Sequence, residues 1–159
     1  MKSHLVSLLA MRHMTSSLST FAQEHPGDWL IWEPGVVTAA GSDTLPFRSS
    51  RAPVSAPGQG EALALQLEPL KRVTLGRLET NDLPINDGTL SSTHLIFHRT
   101  PQGVYSVEDA QSRNGSTLNG KVLEAGMLSE LKNGDVLTAA QCTFTVMTAE
   151  GFLRRLQKA

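Results

Sequence analysis

Three short polar stretches hold the residues of this chain that could do chemistry. Gly76-Arg77 closes an apolar alternation and is followed by Asn81-Asp82. Thr89-Leu90-Ser91-Ser92-Thr93-His94 leads into an apolar run. The third stretch, Asp109 to Gly120 (DAQSRNGSTLNG), packs two Asn-Gly pairs into twelve residues. Brought together, the three would offer the Arg77 guanidinium, serine and threonine hydroxyls, the Asn114 amide and backbone N–H groups from glycine-containing turns. That is a set of donors without an evident base or nucleophile. Donors gathered around one arginine suit a bound phosphate, whose oxygens accept strong charge-assisted hydrogen bonds.

The elements that would position these stretches read as short strands. Leu63, Leu65 and Leu67 alternate with polar or small residues, and Val73 and Leu75 do so before Gly76. His94 to Arg99 is built around Leu95, Ile96 and Phe97. Tyr105 and Val107 share one face, as do Cys142, Phe144 and Val146, and Val136 to Ala139 supplies a further strand. Within DAQSRNGSTLNG, Ser112–Gly115 reads as one tight turn and Thr117–Gly120 as a second, with Ser116 as a spacer. Asn and Gly tolerate positive φ and fix such loops. Regular short strands separated by Gly, Asn, Asp and Pro predict an all-β sandwich, in which loops far apart in sequence meet at one end.

The remaining chain is organised around this sandwich. Residues 4–23 have a helical look, with Leu5, Leu8 and Leu9 on one face and Leu18, Phe21 and Ala22 on another, stopped by Pro26-Gly27. Trp29-Leu30-Ile31-Trp32 is an apolar patch that packs on the main domain or the preceding helix, or else is exposed to a partner. Residues 36–60 are rich in Pro, Ser, Gly and Ala and read as a linker, with Phe47 its one large apolar residue. The expected division is 1–35 as an N-terminal helix and Trp-containing segment, 36–60 as linker, 61–149 as sandwich and 150–159 as a short C-terminal helix. In that last helix Arg154, Arg155 and Lys158 are expected to face solvent.

Composition sets the outer limits. A net charge of −1 and a pI near 6.5 supply no field for nucleic acid or an anionic membrane. One cysteine, Cys142, allows neither an internal disulfide nor a thiolate metal cluster. His13, His98 and Cys142 show no ligand spacing, so no metal or cofactor is expected. The apolar run Leu5–Met11 is short and lacks a small-residue cleavage site, so the N-terminus reads as a cytosolic helix, and no apolar run is long enough to span a membrane.

In order and spacing, Gly76-Arg77, Ser91-x-x-His94, Ser112-Arg113-Asn114-Gly115, Leu118-Asn119-Gly120 and Leu131-x-x-Gly134-Asp135-Val136-Leu137 resemble the forkhead-associated (FHA) domain over residues 61–149. The resemblance implies a β-sandwich of about eleven strands whose apical loops bind phosphothreonine in a partner protein. It implies that Arg77 and the hydroxyl and N–H of Ser91 contact the phosphate, that Ser92 lies near the peptide, and that Asn114 hydrogen-bonds the peptide backbone. His94 would brace the loops from beneath, and Gly76, Gly115, Asn119 and Gly120 would shape them. Arg113 stands where many members carry Thr or Ser, and either adds a second cation or turns outward. The implied protein is a cytoplasmic signalling adaptor, not an enzyme, with a threonine-phosphorylated protein or a Ser/Thr kinase as partner. The alternative is a phospho-independent scaffold or oligomerisation module using Trp29 and Trp32 or a sandwich face.

Overall fold

The structure, a computed structural model, describes residues 3–32 and 62–158. The expected linker 36–60, Phe47 and the boundary at 60–61 lie outside the described residues. Among the described residues twelve strands and three helices follow in order: β1 Ser3–Leu5, α1 Val6–Arg12, α2 Leu18–Glu24, β2 Asp28–Trp32, β3 Leu63–Leu67, β4 Arg72–Gly76, β5 Leu83–Pro84, β6 Leu95–Arg99, β7 Tyr105–Asp109, β8 Ser116–Leu118, β9 Lys121–Val122, β10 Ser129–Glu130, β11 Val136–Ala139, β12 Cys142–Met147 and α3 Ala149–Lys158. One sheet has the order β1-β3-β2-β12-β11-β8-β9 and the other β10-β7-β6-β4-β5. All pairings are antiparallel except β4 with β5, where Leu75 faces Leu83. The sandwich expected from the alternating segments is therefore the fold.

Alternation decides which side chains enter the space between the sheets. Val73 and Leu75 of β4, Leu95 and Phe97 of β6, Tyr105 and Val107 of β7, and Phe144 and Val146 of β12 meet there as one buried cluster. Fully burying side chains of this size contributes about 1.5–3 kcal/mol each, which makes this cluster the main stabilising mass of the domain.

The N-terminal segment departs from the sequence reading. Residues 4–23 do not form one helix: β1 comes first, and α1 and α2 are separate seven-residue helices. Ser17 caps the second, its Oγ accepting from the Thr20 N–H at 3.2 Å. Leu5 lies in β1, and of the face expected to be apolar in α1, Leu9 is buried while Leu8 is exposed.

The tryptophan patch is likewise not an external surface. It is strand β2, inserted between β12 and β3, with Trp32 opposite Phe144 and Leu63, and Leu30 opposite Val146 and Leu65. Leu30 and Trp32 point into the sandwich. Trp29 and Ile31 point the other way, into a second apolar cluster with Leu9, Phe21, Ala64, Phe152, Leu153 and Leu156 from the helices and β3. A sheet covered on both faces needs a strand that is apolar on both faces, and DWLIW is one. The larger sheet thus takes a central strand from before residue 61. In α3, Phe152, Leu153 and Leu156 are the buried side, Arg154 and Lys158 are exposed, and Arg155 is partly covered. Among the described residues, no helix is long and apolar enough to cross a membrane.

Candidate functional site

Three loops leave the sandwich at one end, after β4, before β6 and between β7 and β8, and they enclose a groove of about 530 Å³. Arg77, Ser91, Ser92, Arg113 and Asn114 all line it, together with Thr89. The predicted phosphate and peptide contacts therefore come from three separate loops to one place. Gly76, His94, Gly115, Asn119 and Gly120 do not line it.

Backbone bonds zip the first loop to the second. The Arg77 N–H donates to Ser91 O at 3.0 Å and the Leu78 N–H to Ser92 O at 3.2 Å. So close an approach requires Gly76, where an added Cβ would fall onto the Ser92 carbonyl oxygen. Asn81 completes the seam. Its buried amide donates to Leu78 O at 2.9 Å and Ser92 O at 2.6 Å, and its Oδ1 accepts from Thr93 Oγ1 at 3.2 Å.

His94 ties the second loop to the third. It is fully buried, and the Ser91 N–H donates to its Nδ1 at 3.0 Å. An N–H can only donate, so Nδ1 carries the lone pair and Nε2 the proton, which Nε2 gives to Gly115 O at 2.9 Å. The same bond corrects one expectation. The Ser91 N–H, which the resemblance directs at the phosphate, is already engaged by His94. The Ser91 hydroxyl remains: its Oγ accepts from the Arg113 N–H at 2.9 Å, leaving the O–H to donate into the groove.

The third loop is held from inside by a carboxylate. Asp109, at the end of β7, is buried, and its Oδ1 takes the Ser112 N–H at 2.7 Å while its Oδ2 takes Ser112 Oγ and Ser116 Oγ at 2.6 Å each. Burial alone would raise its pKa. The hydroxyls of Ser112 and Ser116, the Ser112 N–H and a smaller contribution from His94 outweigh that and hold it below the usual carboxylate range. Gly115, with φ of +79°, turns the chain after Asn114 and returns its N–H to Ser112 Oγ at 3.0 Å. Asn114 donates through Nδ2 to Thr89 O at 2.7 Å, which clamps the third loop to the second at the rim. Asp87 stiffens that side of the groove by accepting from the Thr89 N–H at 2.8 Å and from Thr89 Oγ1 at 2.5 Å. Its own pKa is lowered although burial pushes it up, because the hydroxyl and N–H of Thr89, with Cys142 and Gln141, outweigh that.

The second Asn-Gly pair does other work. Thr117 and Leu118 lie in β8, not in a turn, and the turn itself is Asn119-Gly120 at φ of +52° and +84°. Asn119 Oδ1 accepts from the Val136 N–H at 2.9 Å and its Nδ2 donates to Asp135 at 3.0 Å, fastening β8 to the start of β11. The roles of Asn81, Asp87 and Asp109 in bracing these loops do not follow from the sequence. Each is a short polar residue beside a turn, which is the signal the sequence offers; Asn81 and Asp109 are buried and Asp87 is partly so.

The groove is thus braced by polar bonding, and two guanidinium-bearing residues, Arg77 and Arg113, line it with no acidic residue among the described lining residues. Comparison with known proteins agrees with this architecture. Residues 73–140 match the family model of the FHA domain. The chain carries an FHA domain. The probable serine/threonine-protein kinase fhkA of Dictyostelium discoideum is 32% identical over 81 residues, covering 46% of this chain and 14% of the kinase. An FHA domain from Chlamydia trachomatis has the same fold, with a TM-score of 0.53 and 17% identity over 76% of this chain and 97% of that one. Mycobacterium tuberculosis EmbR, solved in complex with a low affinity phosphopeptide, aligns with a TM-score of 0.51 and 16% identity over 89% of this chain and 28% of EmbR. The FHA domain is a phosphopeptide-binding module and not an enzyme. The exposed-tryptophan scaffold is overturned by burial, since Trp29 is 0% and Trp32 is 4% exposed.

Proposed function

We propose that the groove receives the phosphothreonine of a partner protein, and that the chain acts as an adaptor reading a mark written by a Ser/Thr kinase. The single observation that carries this is the lining: Arg77, Arg113 and the hydroxyls of Ser91 and Ser92 share one groove with no acidic side chain among its lining residues. A phosphate monoester carries about −1.5 to −2 charges at pH 7 and offers strong acceptor oxygens. Arg77 meets two of them as a fork, the Ser91 O–H donates to a third, and Arg113 adds charge from the opposite loop. Hydrogen bonds to a charged group contribute about 1.5–3 kcal/mol each, so three give about 5–9 kcal/mol before the peptide's ordering cost. Micromolar binding, about −8 kcal/mol, therefore needs peptide contacts as well, and Asn114 at the rim supplies them through its free carbonyl oxygen.

Titrating a library of threonine-phosphorylated peptides, with phosphoserine and aspartate versions alongside, tests the reading. Phosphothreonine peptides should bind at micromolar concentration, and the aspartate versions, with less charge and fewer oxygens, should bind poorly. Arg77→Ala should weaken binding at least about tenfold, or about 1.4 kcal/mol, with little change in Tm because Arg77 is exposed. No binding by the wild type, or equal binding by Arg77→Ala, overturns it.

A further inference from the structure

The helical layer brings together residues that the sequence keeps apart. His13 caps the C-terminus of α1, and Glu24 and His25 end α2. One ligand atom from each lies within 4.8 Å of the others. Both imidazoles are inside the protein, His13 at 1% and His25 at 9% exposure, and the Nε2 of each has no hydrogen-bond partner. A buried ring nitrogen without a partner is costly and calls for one. The second nitrogen of His13 is already placed, since Nδ1 lies 3.0 Å from Ser16 Oγ. Ser16 Oγ can accept from Nδ1, and with the proton there the Nε2 lone pair faces Glu24 Oε2 at 3.5 Å, an arrangement that a cation between the two would satisfy. Glu24 is divided the same way, its Oε1 being occupied by Arg12 at 3.2 Å while Oε2 is turned toward the histidines.

We propose that His13 Nε2, His25 Nε2 and the Glu24 carboxylate bind one divalent transition-metal ion, and that zinc is the ion this donor set suits. Imidazole with one carboxylate favours zinc over calcium or magnesium, which take oxygen ligands. Zinc bonds of about 2.0–2.2 Å set donors about 3.3–3.6 Å apart in a tetrahedron, so donors that now lie within 4.8 Å of one another would close by up to about 1.5 Å. A fourth position remains for water or for His4 of β1, whose ring centroid lies 5.1 Å from that of His25.

The surroundings hold these donors in place. The hydrogen bond between His13 Nδ1 and Ser16 Oγ is the outer contact that would orient a ligating imidazole. Gln157 of α3 fixes the same corner by donating to His13 O at 3.2 Å and Ser16 O at 2.8 Å. The ion would join the ends of α1 and α2 beside Trp29, whose ring centroid is 5.7 Å from that of His25. The cluster shares no residue with the phosphopeptide groove, so this site stands whether or not that groove binds phosphate.

The test is calorimetric titration of the chelator-treated full chain with zinc chloride, paired with cobalt(II) absorption and Trp fluorescence. One ion per chain is expected, with the visible bands of four-coordinate cobalt and a Tm that rises with zinc. Glu24→Gln, at a side chain 39% exposed, should leave the metal-free Tm unchanged and weaken zinc binding at least about tenfold. His13→Gln combined with His25→Gln should abolish it. Failure of the wild type to bind at micromolar free zinc overturns the proposal, as does undiminished binding by Glu24→Gln. Glu24→Gln decides the matter alone if the histidine double variant does not fold.

Discussion

The groove loops and the helical layer solve opposite problems on one sandwich. The groove is rigid because backbone carbonyls and amides are tied by polar side chains: Asn81 binds Ser92 O, His94 binds Gly115 O, and Asn114 binds Thr89 O. The helical layer is rigid because aromatic rings pack, with Trp29 4.8 Å from Phe152 and 5.8 Å from Phe21 by ring centroid. Polar ties leave the groove surface free to offer donors to a ligand. Ring packing buries Trp29, Phe21 and Phe152 against the outer face of the larger sheet, while Leu8, Met11 and Leu18 of the same layer stay exposed. Stability and recognition are thereby assigned to different regions, and substitutions should separate them.

The largest effect belongs to the helical layer. Phe152→Ala removes a fully buried ring from the cluster of Phe21, Trp29 and Leu156. Aromatic truncations of this kind cost about 3–5 kcal/mol, on the order of 10 °C in Tm for a domain of this size. Phosphopeptide affinity of the protein that remains folded should equal that of the wild type. Thermal unfolding followed by titration below the transition checks both halves, and a parallel loss of affinity would break the separation between the two regions.

His94→Ala should show the intermediate behaviour that polar ties predict. It leaves the Ser91 N–H and Gly115 O, both in the loop framework, without their partner. Unsatisfied buried groups cost about 1–3 kcal/mol, so Tm should fall less than in Phe152→Ala while peptide binding falls with it. This contrasts with Arg77→Ala, where binding falls and Tm holds. A variant of His94 that kept full affinity would show that the loops are held without the imidazole.

The same contrast explains what was legible in the sequence. The groove is written in short local signals, because Gly76, Ser91, His94 and the Asn114-Gly115 turn each need a residue type that few others can replace. What those signals do not carry is the partner of each bond. Asp109 reads as a turn residue although it is the buried anchor of Ser112 and Ser116, and the Ser91 N–H reads as free although His94 takes it. The sandwich strands were legible where one face is polar, as in Tyr105–Asp109. Strand β2 was not, because DWLIW is apolar on both faces and its neighbours, Leu63–Leu67 and Cys142–Met147, are remote in sequence. The break between α1 and α2 hid the histidine cluster for the same reason. His13 and His25 show no ligand spacing along the chain and meet only because two short helices fold against Trp29.

The smallest expected effect lies between the two regions, at the first residue of β2. Burial raises the Asp28 carboxyl to about 6, with the Arg99 guanidinium pulling the other way. The unfolded carboxyl, near its ordinary value of 3.8, gives up its proton first as pH rises, so folding is progressively penalised between about pH 4 and 6 and by a constant amount above. His13 and His25 run in the opposite sense. Their folded pKa values lie below 6.5, so their contribution to stability is lost as pH falls below that value. Wild-type stability mixes the two trends, whereas the difference between the wild type and Asp28→Asn isolates the carboxylate. Asp28→Asn should raise Tm by a few degrees at pH 7, and the gain should vanish below about pH 4. Melting both proteins across that range checks the sign. A loss at pH 7 would mean that the attraction between Asp28 and Arg99 outweighs burial and that β2 enters the sheet held by an ion pair at its first residue.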